Sequence, residues 1–275
     1  KKINRKQPFS SELINYRKTG EKYWVRIKGQ PFQDNEGKLQ GYFDCLGIPY
    51  TSCNAATSAL TFNKRYTVAV AAFAGINVAK SMHLFKGDNT TALQITSTLQ
   101  LPVFVKPNNG GSSIGMSKVS DAENLTAALE RAFKEDNQVL VEEFIEGREF
   151  TIGVFQSKDR IITLPITEII SKKEFFDFEA KYQGASEEIT PAQVEETIAD
   201  KIRAADQKIY KVFHCRGIVR IDFIYNAKSG DVFMLEINTV PGQSAASIVP
   251  QQVKAMGWSL KEFYTALIEE SLNHK

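Results

Sequence analysis

The chain has 275 residues, of which 43% are hydrophobic and 24% are charged, and its formal net charge is +2. This length allows one large domain or two ordinary ones. The small net charge argues against strong electrostatic attraction to nucleic acid or to an anionic membrane. The longest apolar run, residues 67–79, is too short to span a bilayer. Composition therefore predicts a soluble globular protein.

The first 38 residues differ in charge from the rest of the chain. They carry ten basic and four acidic residues, a net charge of +6, against −4 for the remainder, which makes residue 38 a candidate boundary. The three cysteines (Cys45, Cys53 and Cys215) are odd in number and lack metal-ligand spacing. They favour a reducing compartment, and the N-terminus has no hydrophobic signal core. We therefore expect a cytoplasmic protein.

Residues 8–44 have the pattern of a β-meander. Two strand-like runs flank a turn at Thr19 and Gly20, and residues 34–37 form a second turn signal. The segment ELINYRKTGEKYWVRI and the turn after it resemble the last strands of a PAS sensor domain. We interpret residues 1–37 as a PAS-like β segment on this resemblance.

The middle of the chain alternates between helical and strand-like segments. We predict helices at 38–46, ended by Gly47, at 56–74, ended by Gly75, and at 89–99. Strands are predicted in INVAKSMHLF, LPVFVKP, QVLVEEFI, EFTIGVFQ and IITLPITEII. Ser120 and Glu123 have the spacing of a capping box that would start another helix. Residues 171–190 are predicted to be a loop.

Thr190 and Pro191 predict the start of a long helix, with the threonine as cap and the proline in its first turn. The apolar stripe of this helix consists of Ile198, Ile202, Ile209 and Phe213. Gly217 would end the helix, a hairpin follows, and WSLKEFYTALIEESL closes the chain as a helix. The order of elements predicts a mixed α+β fold with antiparallel sheets.

The hairpin spans residues 216–242, RGIVRIDFIYNAKSGDVFMLEINTVPG. Arg220 and Asp222 are two residues apart and share one face of the first strand, as Glu236 and Asn238 do on the second. A turn over residues 227–231 would pair Asn226 with residue 232 and set Asp222 opposite Glu236.

Two facing carboxylates repel each other unless a cation lies between them. Hard oxygen ligands suit Mg²⁺, whose sites usually include substrate phosphate. The other interpretation is a solvated polar face on an amphipathic hairpin.

A second chemical feature is the glycine-rich loop of residues 106–117, KPNNGGSSIGMS. Such a loop is rich in N–H and O–H donors and can close over phosphates. Met116 stands where a Walker A motif requires lysine, which argues against a P-loop. Residues 111–115 match G-x-S-x-G, but a nucleophile elbow needs a following helix and a later histidine. His214 ends a helix and His274 lies at the C-terminus, so a serine hydrolase is disfavoured.

The neighbours of this loop extend the argument toward nucleotide binding. Lys106 precedes the glycines on a strand, from which it could reach phosphate. The segment beginning at Glu142 could meet a planar base, and Glu149 could hold ribose hydroxyls. Taken alone, the loop could be a plain hairpin connection and the segment an ordinary strand with exposed acids.

In order along the chain, FVKPNNGGSSIGMSKV, VLVEEFIEGREFT, FFDFEAKY, GIVRIDF and LEINTVPGQSAASIVP resemble the ATP-grasp ligases, and more closely the D-alanine–D-alanine ligases. The resemblance runs from about Gly37 to Leu272. It implies an α+β ATP-grasp fold, in which two lobes with antiparallel sheets clamp ATP. It divides the chain into a remnant of the family's N-terminal lobe (38–53), a central lobe (54–140) and a C-terminal lobe with the metal and substrate site (141–275).

The resemblance also implies functional residues. The implied ATP-binding residues are Lys64, Lys106, Gly111, Ser113, Glu142, Glu143, Phe144, Ile145, Glu149 and Lys181. Two Mg²⁺ or Mn²⁺ ions would be held by Asp222, Glu236 and Asn238. The implied catalytic residues are Arg220, Ser112 and Tyr182, and Arg220, Gly242, Ser247 and Ile248 would bind the second D-alanine.

The implied activity is ADP-forming ligation of two D-alanines through an acyl phosphate, in peptidoglycan precursor synthesis for cell wall biogenesis and cell shape. ATP, D-alanine and a second copy of the chain are the implied partners, without nucleic acid or membrane. The family's N-terminal lobe ends in H-G-x-x-G-E-D-G, whereas this chain has QDNEG at residues 33–37. We therefore expect ATP binding with weak or absent dipeptide synthesis. Another ATP-grasp carboxylate–amine ligase, or a PAS-linked nucleotide-binding module without turnover, are the alternatives.

Overall fold

A computed structural model describes residues 9–16, 22–29, 38–88, 90–111, 113–171 and 186–273. The predicted site residues Ser112, Lys181 and Tyr182 lie outside these ranges. Near the N-terminus, strands β1 (Phe9–Tyr16) and β2 (Lys22–Gly29) pair as an antiparallel two-stranded sheet. The two predicted strand runs of this segment are therefore confirmed.

The second sheet has four antiparallel strands. They are β3 (Ser81–Phe85), β4 (Val103–Pro107), β5 (Ser117–Val119) and β6 (Gln138–Glu143), in the spatial order β3-β6-β4-β5. Helices α4 (Ala92–Thr98) and α5 (Leu125–Glu135) contribute apolar side chains to the same core. That core contains Leu84, Ile95, Val103, Val105, Leu125 and Val141.

The third sheet has six strands and carries the predicted hairpin. They are β7 (Arg148–Ser157), β8 (Arg160–Thr163), β9 (Thr167–Ser171), β10 (Ser186–Ile189), β11 (Val219–Asn226) and β12 (Asp231–Asn238). Their order is β10-β9-β7-β11-β12, with β8 paired to β7 beyond the end of β9. All pairings are antiparallel, as the sequence predicts.

The remaining helices are α1 (Lys38–Leu46), α2 (Ala55–Phe62), α3 (Lys64–Phe73), α6 (Glu196–Val212), α7 (Ile248–Ala255) and α8 (Leu260–Asn273). Helix α6 packs on one face of the six-stranded sheet through its predicted stripe, which is buried. Helices α7 and α8 enclose a third core with Phe155 and Leu164. The helix periodicity therefore predicted the buried faces correctly.

The predicted helix 56–74 is in fact two helices that meet at Asn63. The side chain of Asn63 accepts a hydrogen bond from the Tyr66 amide (3.1 Å) and caps α3. The backbone of Asn63 also bridges to Asn109 in the glycine-rich loop. The interruption therefore places Lys64, the first residue of α3, next to that loop.

Two predicted helix starts are wrong. Helix α5 does not begin at a capping box on Ser120. It begins at Leu125, which is fully buried, after a short 3-10 turn (Ala122–Asn124). Helix α6 begins at Glu196, not at Thr190. The Thr190 hydroxyl is 2.6 Å from the Thr167 hydroxyl, and the Ala192 amide donates to the Ile166 carbonyl (2.7 Å). These bonds hold the segment against β9 instead of in a helix.

Candidate active site

The hairpin of β11 and β12 brings the predicted acids together. Asp222 lies opposite Glu236, as predicted. The predicted pairing of Asn226 with Val232 is wrong, because Asn226 pairs with Asp231. The register shifts between Asp222 and Phe223, so that Leu235 has no partner in the ladder. This β-bulge absorbs the one-residue difference in the turn and restores the register at the acids.

Asp222 is surrounded by hydrogen-bond donors. Arg220 donates from Nε to Oδ1 (2.9 Å) and from Nη2 to Oδ2 (2.9 Å), a bidentate ion pair. Asn238 Nδ2 donates to Oδ2 (3.3 Å), and the Thr151 hydroxyl donates to Oδ1. These four bonds fix the orientation of the carboxylate.

Thr151 was not among the predicted site residues, although the alternation of side chains along β7 indicated it. Residues 149, 151 and 153 alternate along β7, and Thr151 lies directly opposite Asp222. Alternation along a strand puts Glu149 and Thr151 on the same face. Since Glu149 was already a candidate, the same period pointed to Thr151.

The charge of Arg220 is secured by its surroundings. Burial lowers the pKa of the guanidinium, but the charge and hydrogen bonds of Asp222 raise it by more, so the net direction is upward. Arg220 is therefore a fixed cation beside the two acids.

Lys64 links helix α3 to the glycine-rich loop. Its Nζ donates to the Gly110 carbonyl (2.9 Å), and its backbone amide donates to the Asn108 carbonyl (3.2 Å). Burial lowers the pKa of Lys64, and the negative charge of Glu236 partly offsets that effect. This ammonium group therefore stands between the loop and the acids of the hairpin.

The four-stranded sheet contributes a second cation and an aromatic surface. Lys106 on β4 forms an ion pair with the buried Glu142 on β6. The ring of Phe144 packs edge-on against Phe104, with 5.9 Å between centroids. Lys118 Nζ lies 3.9 Å from the centroid of Phe144. Lys118 was not predicted; it follows the glycine-rich loop on β5 and lies opposite Phe104.

Two neighbouring cavities contain every predicted site residue that the structure describes. The first, of about 460 Å³, is lined by Lys64, Lys106, Gly111, Ser113, Glu142, Glu143, Phe144, Ile145, Glu149, Asp222 and Glu236. The second, of about 590 Å³, is lined by Lys64, Gly111, Glu149, Arg220, Asp222, Glu236, Asn238, Gly242, Ser247 and Ile248. Both sizes are typical of small-molecule sites. Asp222 and Glu236 line both cavities and thus form part of a shared wall.

The shared wall fits a divalent cation chemically. Asp222 and Glu236 face each other on adjacent strands, with the amide of Asn238 beside Asp222. Within the described ranges, no three His, Cys, Asp or Glu side chains gather as a metal site. Mg²⁺ is usually bound by one or two carboxylates together with waters and substrate phosphates. Two carboxylates and an amide oxygen match that donor set.

Comparison with known sequences identifies the family. Residues 67–269 match the family described as "D-ala D-ala ligase C-terminus". The D-alanine–D-alanine ligase of Parabacteroides distasonis is 42% identical over 92% of this chain and 76% of its own length. That of Porphyromonas gingivalis strain W83 is 40% identical over 98% of this chain and 81% of its own length.

Solved structures agree with the sequences. The VanG D-Ala:D-Ser ligase of Enterococcus faecalis superposes with a TM-score of 0.79 at 35% identity, covering 86% of this chain and 69% of its own. A D-alanine–D-alanine ligase of Bacillus anthracis complexed with ATP gives 0.75 at 28%, covering 86% and 75%. The fold is therefore that of an ATP-grasp ligase. The chain belongs to the D-alanine–D-alanine ligase family.

The PAS-like interpretation of residues 1–37 finds no support. The Porphyromonas relative aligns with 98% of the chain, which includes most of this segment. The segment therefore aligns with ligases, and we withdraw the PAS interpretation together with the nucleotide-binding module based on it. None of the helices in the described part of the chain has the length and apolar character needed to cross a membrane.

Proposed function

We propose that this protein is an ATP-dependent D-alanine–D-alanine ligase that supplies the dipeptide for peptidoglycan synthesis. The observation that carries the proposal is the wall between the two cavities, where Asp222 and Glu236 border both. A phosphoryl group transferred from a nucleotide in one cavity to a carboxylate in the other must pass this wall. Family membership supplies the identity of the amino acid.

In the first step, a carboxylate oxygen of the first D-alanine attacks the γ-phosphorus of ATP. The bond from that phosphorus to the β-phosphate oxygen breaks, and ADP leaves. Lys64 and Lys106 are two of the cationic residues that line the nucleotide cavity. In our mechanism Lys64 leaves the Gly110 carbonyl and Lys106 leaves Glu142, and both ammonium groups then bind phosphate oxygens. Their positive charge stabilises the phosphoryl group during transfer.

In the second step, the amine of the second D-alanine attacks the carbonyl carbon of the acyl phosphate. The bond from carbon to the phosphate oxygen breaks, phosphate leaves, and the amine loses a proton. Arg220 borders the second cavity and would stabilise the oxyanion of the tetrahedral intermediate. Mg²⁺ held by Asp222, Glu236 and Asn238 would neutralise negative charge on the phosphoryl group. Residues Gly242, Ser247 and Ile248 would bind the second D-alanine.

The test is ADP release by the purified chain with ATP, Mg²⁺ and D-alanine, combined with chromatographic detection of the dipeptide. We expect ADP and D-alanyl-D-alanine in equal amounts, and neither product with L-alanine. ATP binding without ADP release under any amino acid mixture would refute the proposal. The same assay measures whether synthesis is weak, which stays a prediction.

A second candidate acceptor is D-serine. The structure with a TM-score of 0.79 is a D-Ala:D-Ser ligase, and it is 35% identical to this chain. Adding D-serine to the D-alanine assay tests this candidate. A mixed dipeptide in excess of D-alanyl-D-alanine would establish a different acceptor on the same mechanism.

A cytoplasmic location and a homodimer also belong to the proposal. All three cysteines are free thiols, which fits a reducing compartment. Analytical ultracentrifugation at several protein concentrations tests the dimer, and a single species with the mass of one chain at all concentrations would exclude it.

A further inference from the structure

The hydrogen-bond ladder along one edge of β7 has a gap. Strand β9 pairs with β7 only through Glu149–Thr151, and β8 pairs with it only from Val154 onward. Between them, the Gly153 carbonyl accepts from the Leu164 amide (2.8 Å). The Thr151 carbonyl and the Gly153 amide need other partners, because a buried backbone group without a hydrogen bond is costly.

The side chain of Gln252, on α7, fills this gap. Its Oε1 accepts a hydrogen bond from the Gly153 amide (3.0 Å), and its Nε2 donates to the Thr151 carbonyl (3.0 Å). Nε2 also donates to the Thr167 hydroxyl (3.1 Å). The side chain is fully buried, at 0% exposure. The carboxamide thus acts as the missing peptide group of a partner strand, a role that needs one donor and one acceptor.

The fit around the carboxamide is close. A Cβ atom added to Gly153 would lie 2.7 Å from Leu164 Cδ1 and 3.0 Å from Gln252 Oε1. Glycine at this position therefore allows α7 to approach the strand, and a shift of α7 would break both bonds to the backbone.

The anchored strand and the anchored helix both lead into the candidate active site. On the other edge of β7, Thr151 pairs with Asp222 and Gly153 with Arg220. On α7, Ile248 lies one turn before Gln252 and lines the second cavity together with Ser247. No residue of α7 borders the first cavity as lined by the described residues.

We propose that Gln252 is a positioning residue that holds the first turn of α7 at a fixed distance from Arg220, and so sets the binding site of the acceptor amino acid. This inference rests on the proposed function, in which Ser247 and Ile248 bind the second D-alanine. Among the described residues that line the nucleotide cavity none belongs to α7, so we expect nucleotide binding to be unaffected.

The test compares Gln252→Met with the wild type. Methionine has a similar size but cannot replace the hydrogen bonds. Dipeptide synthesis is measured against D-alanine and ATP concentrations, and the acyl phosphate is trapped in parallel with hydroxylamine. We expect the KM for the acceptor to rise about tenfold, since a misplacement of about 1 Å can cost up to ~10²-fold. The KM for ATP and the yield of trapped hydroxamate should stay near the wild-type values.

The matched control is Val253→Ala. Val253 is the next residue of α7, is also fully buried, and packs in the third core, and its side chain has no group that could hydrogen-bond to the β7 backbone. This variant should lower the melting temperature but leave the acceptor KM unchanged. An unchanged acceptor KM in Gln252→Met overturns the inference, as does an equal rise in the control or a parallel loss of hydroxamate.

A measurement without turnover separates this inference from the proposed function. Amide hydrogen exchange in Gln252→Met should increase at Gly153 and at the hydrogen-bonded amides of Ser247 and Gln251 at the start of α7, and stay unchanged in β12. If the wild type makes no dipeptide, the proposed function fails. The exchange pattern still decides the positioning role, and unchanged exchange at Gly153 and the first turn of α7 refutes it.

Discussion

The two faces of strand β11 differ in burial and charge. Val219, Ile221 and Phe223 point into the core under α6 and are fully buried. Arg220 and Asp222, which alternate with them, border the second cavity. One strand therefore supplies both fully buried packing residues and a charged pair at the cavity. We therefore expect function and stability to be separable here at the level of single residues.

The same contrast holds for two carboxylates on opposite sides of the sheet. Asp222 accepts hydrogen bonds from Arg220, Thr151 and Asn238. Asp206, on α6, is fully buried, and neither of its oxygens has a hydrogen-bond partner among the described residues. Burial raises the pKa of Asp206 well above its usual value. One acid is surrounded by hydrogen-bond donors, whereas burial without donors drives the other toward its neutral form.

The largest expected effect is on the cavity face. Asp222→Asn preserves the shape of the side chain but removes its charge, leaving Arg220 without its bidentate ion-pair partner. We expect ADP release to fall about 10³-fold, the scale of losing one preorganised electrostatic group. The measurement is ADP release at saturating ATP and D-alanine, with circular dichroism to verify folding. Activity within tenfold of wild type would remove Asp222 from the site.

The adjacent residue gives the opposite expectation. Ile221→Ala removes buried methyl groups from the core face and should lower the free energy of unfolding by about 2–5 kcal/mol. Activity per folded molecule should stay near the wild-type value. Urea denaturation and the ADP assay measure the two quantities on the same sample. A loss of activity without a loss of stability would contradict the separation of faces.

A smaller effect is expected at the hydroxyl behind Asp222. Thr151→Val keeps the shape but removes the bond to Oδ1, and supporting bonds of this kind are worth about 10–100-fold in metal affinity. The apparent affinity for Mg²⁺, from ADP release during a Mg²⁺ titration, should fall by that factor and recover at high Mg²⁺. Thr151→Ser, which keeps a hydroxyl, serves as the control. Equal Mg²⁺ curves for both variants would exclude the role.

The smallest effect is a pH dependence on the core face. The pKa of Asp206 is raised above its ordinary value of 3.8, so the folded state holds a proton that the unfolded state releases. Stability is therefore present at low pH and falls as pH rises through the window above 3.8, by about 1.4 kcal/mol per pH unit at most. Asp206→Asn lacks this slope, so its stability relative to wild type should increase from pH 5 to pH 7. The measurement is the urea midpoint of both proteins at pH 5 and pH 7. An equal difference between Asp206→Asn and wild type at the two pH values would refute the prediction.

Much of the site could be predicted because its chemistry lies in short alternating motifs. The period of two along β11 and β12 was enough to set Asp222 opposite Glu236, although the turn register was off by one. The bulge at Leu235 has no sequence signature, and it happened to correct the error. Gln252 could not be found in this way, because a gap in a ladder exists only once three strands are in place.

One wrong helix start and one unexpected burial have a common cause. Thr190 and Pro191 carry a strong local signal, but the Thr190 hydroxyl meets Thr167, far away in sequence. Asp206 follows Ile202 by one turn of α6, and no local pattern predicts that its carboxylate is fully buried. Tertiary contacts overrode local preferences in both cases.

The wall that Asp222 and Glu236 share has a thermodynamic consequence. Charge placed in either cavity acts on the same two carboxylates, so occupancy of one cavity changes the free energy of filling the other. In the proposed function such coupling is reciprocal: the factor by which nucleotide changes amino acid affinity must equal the factor by which amino acid changes nucleotide affinity. A ligand for either cavity would thereby become an effector of the other, without any movement of the backbone between them.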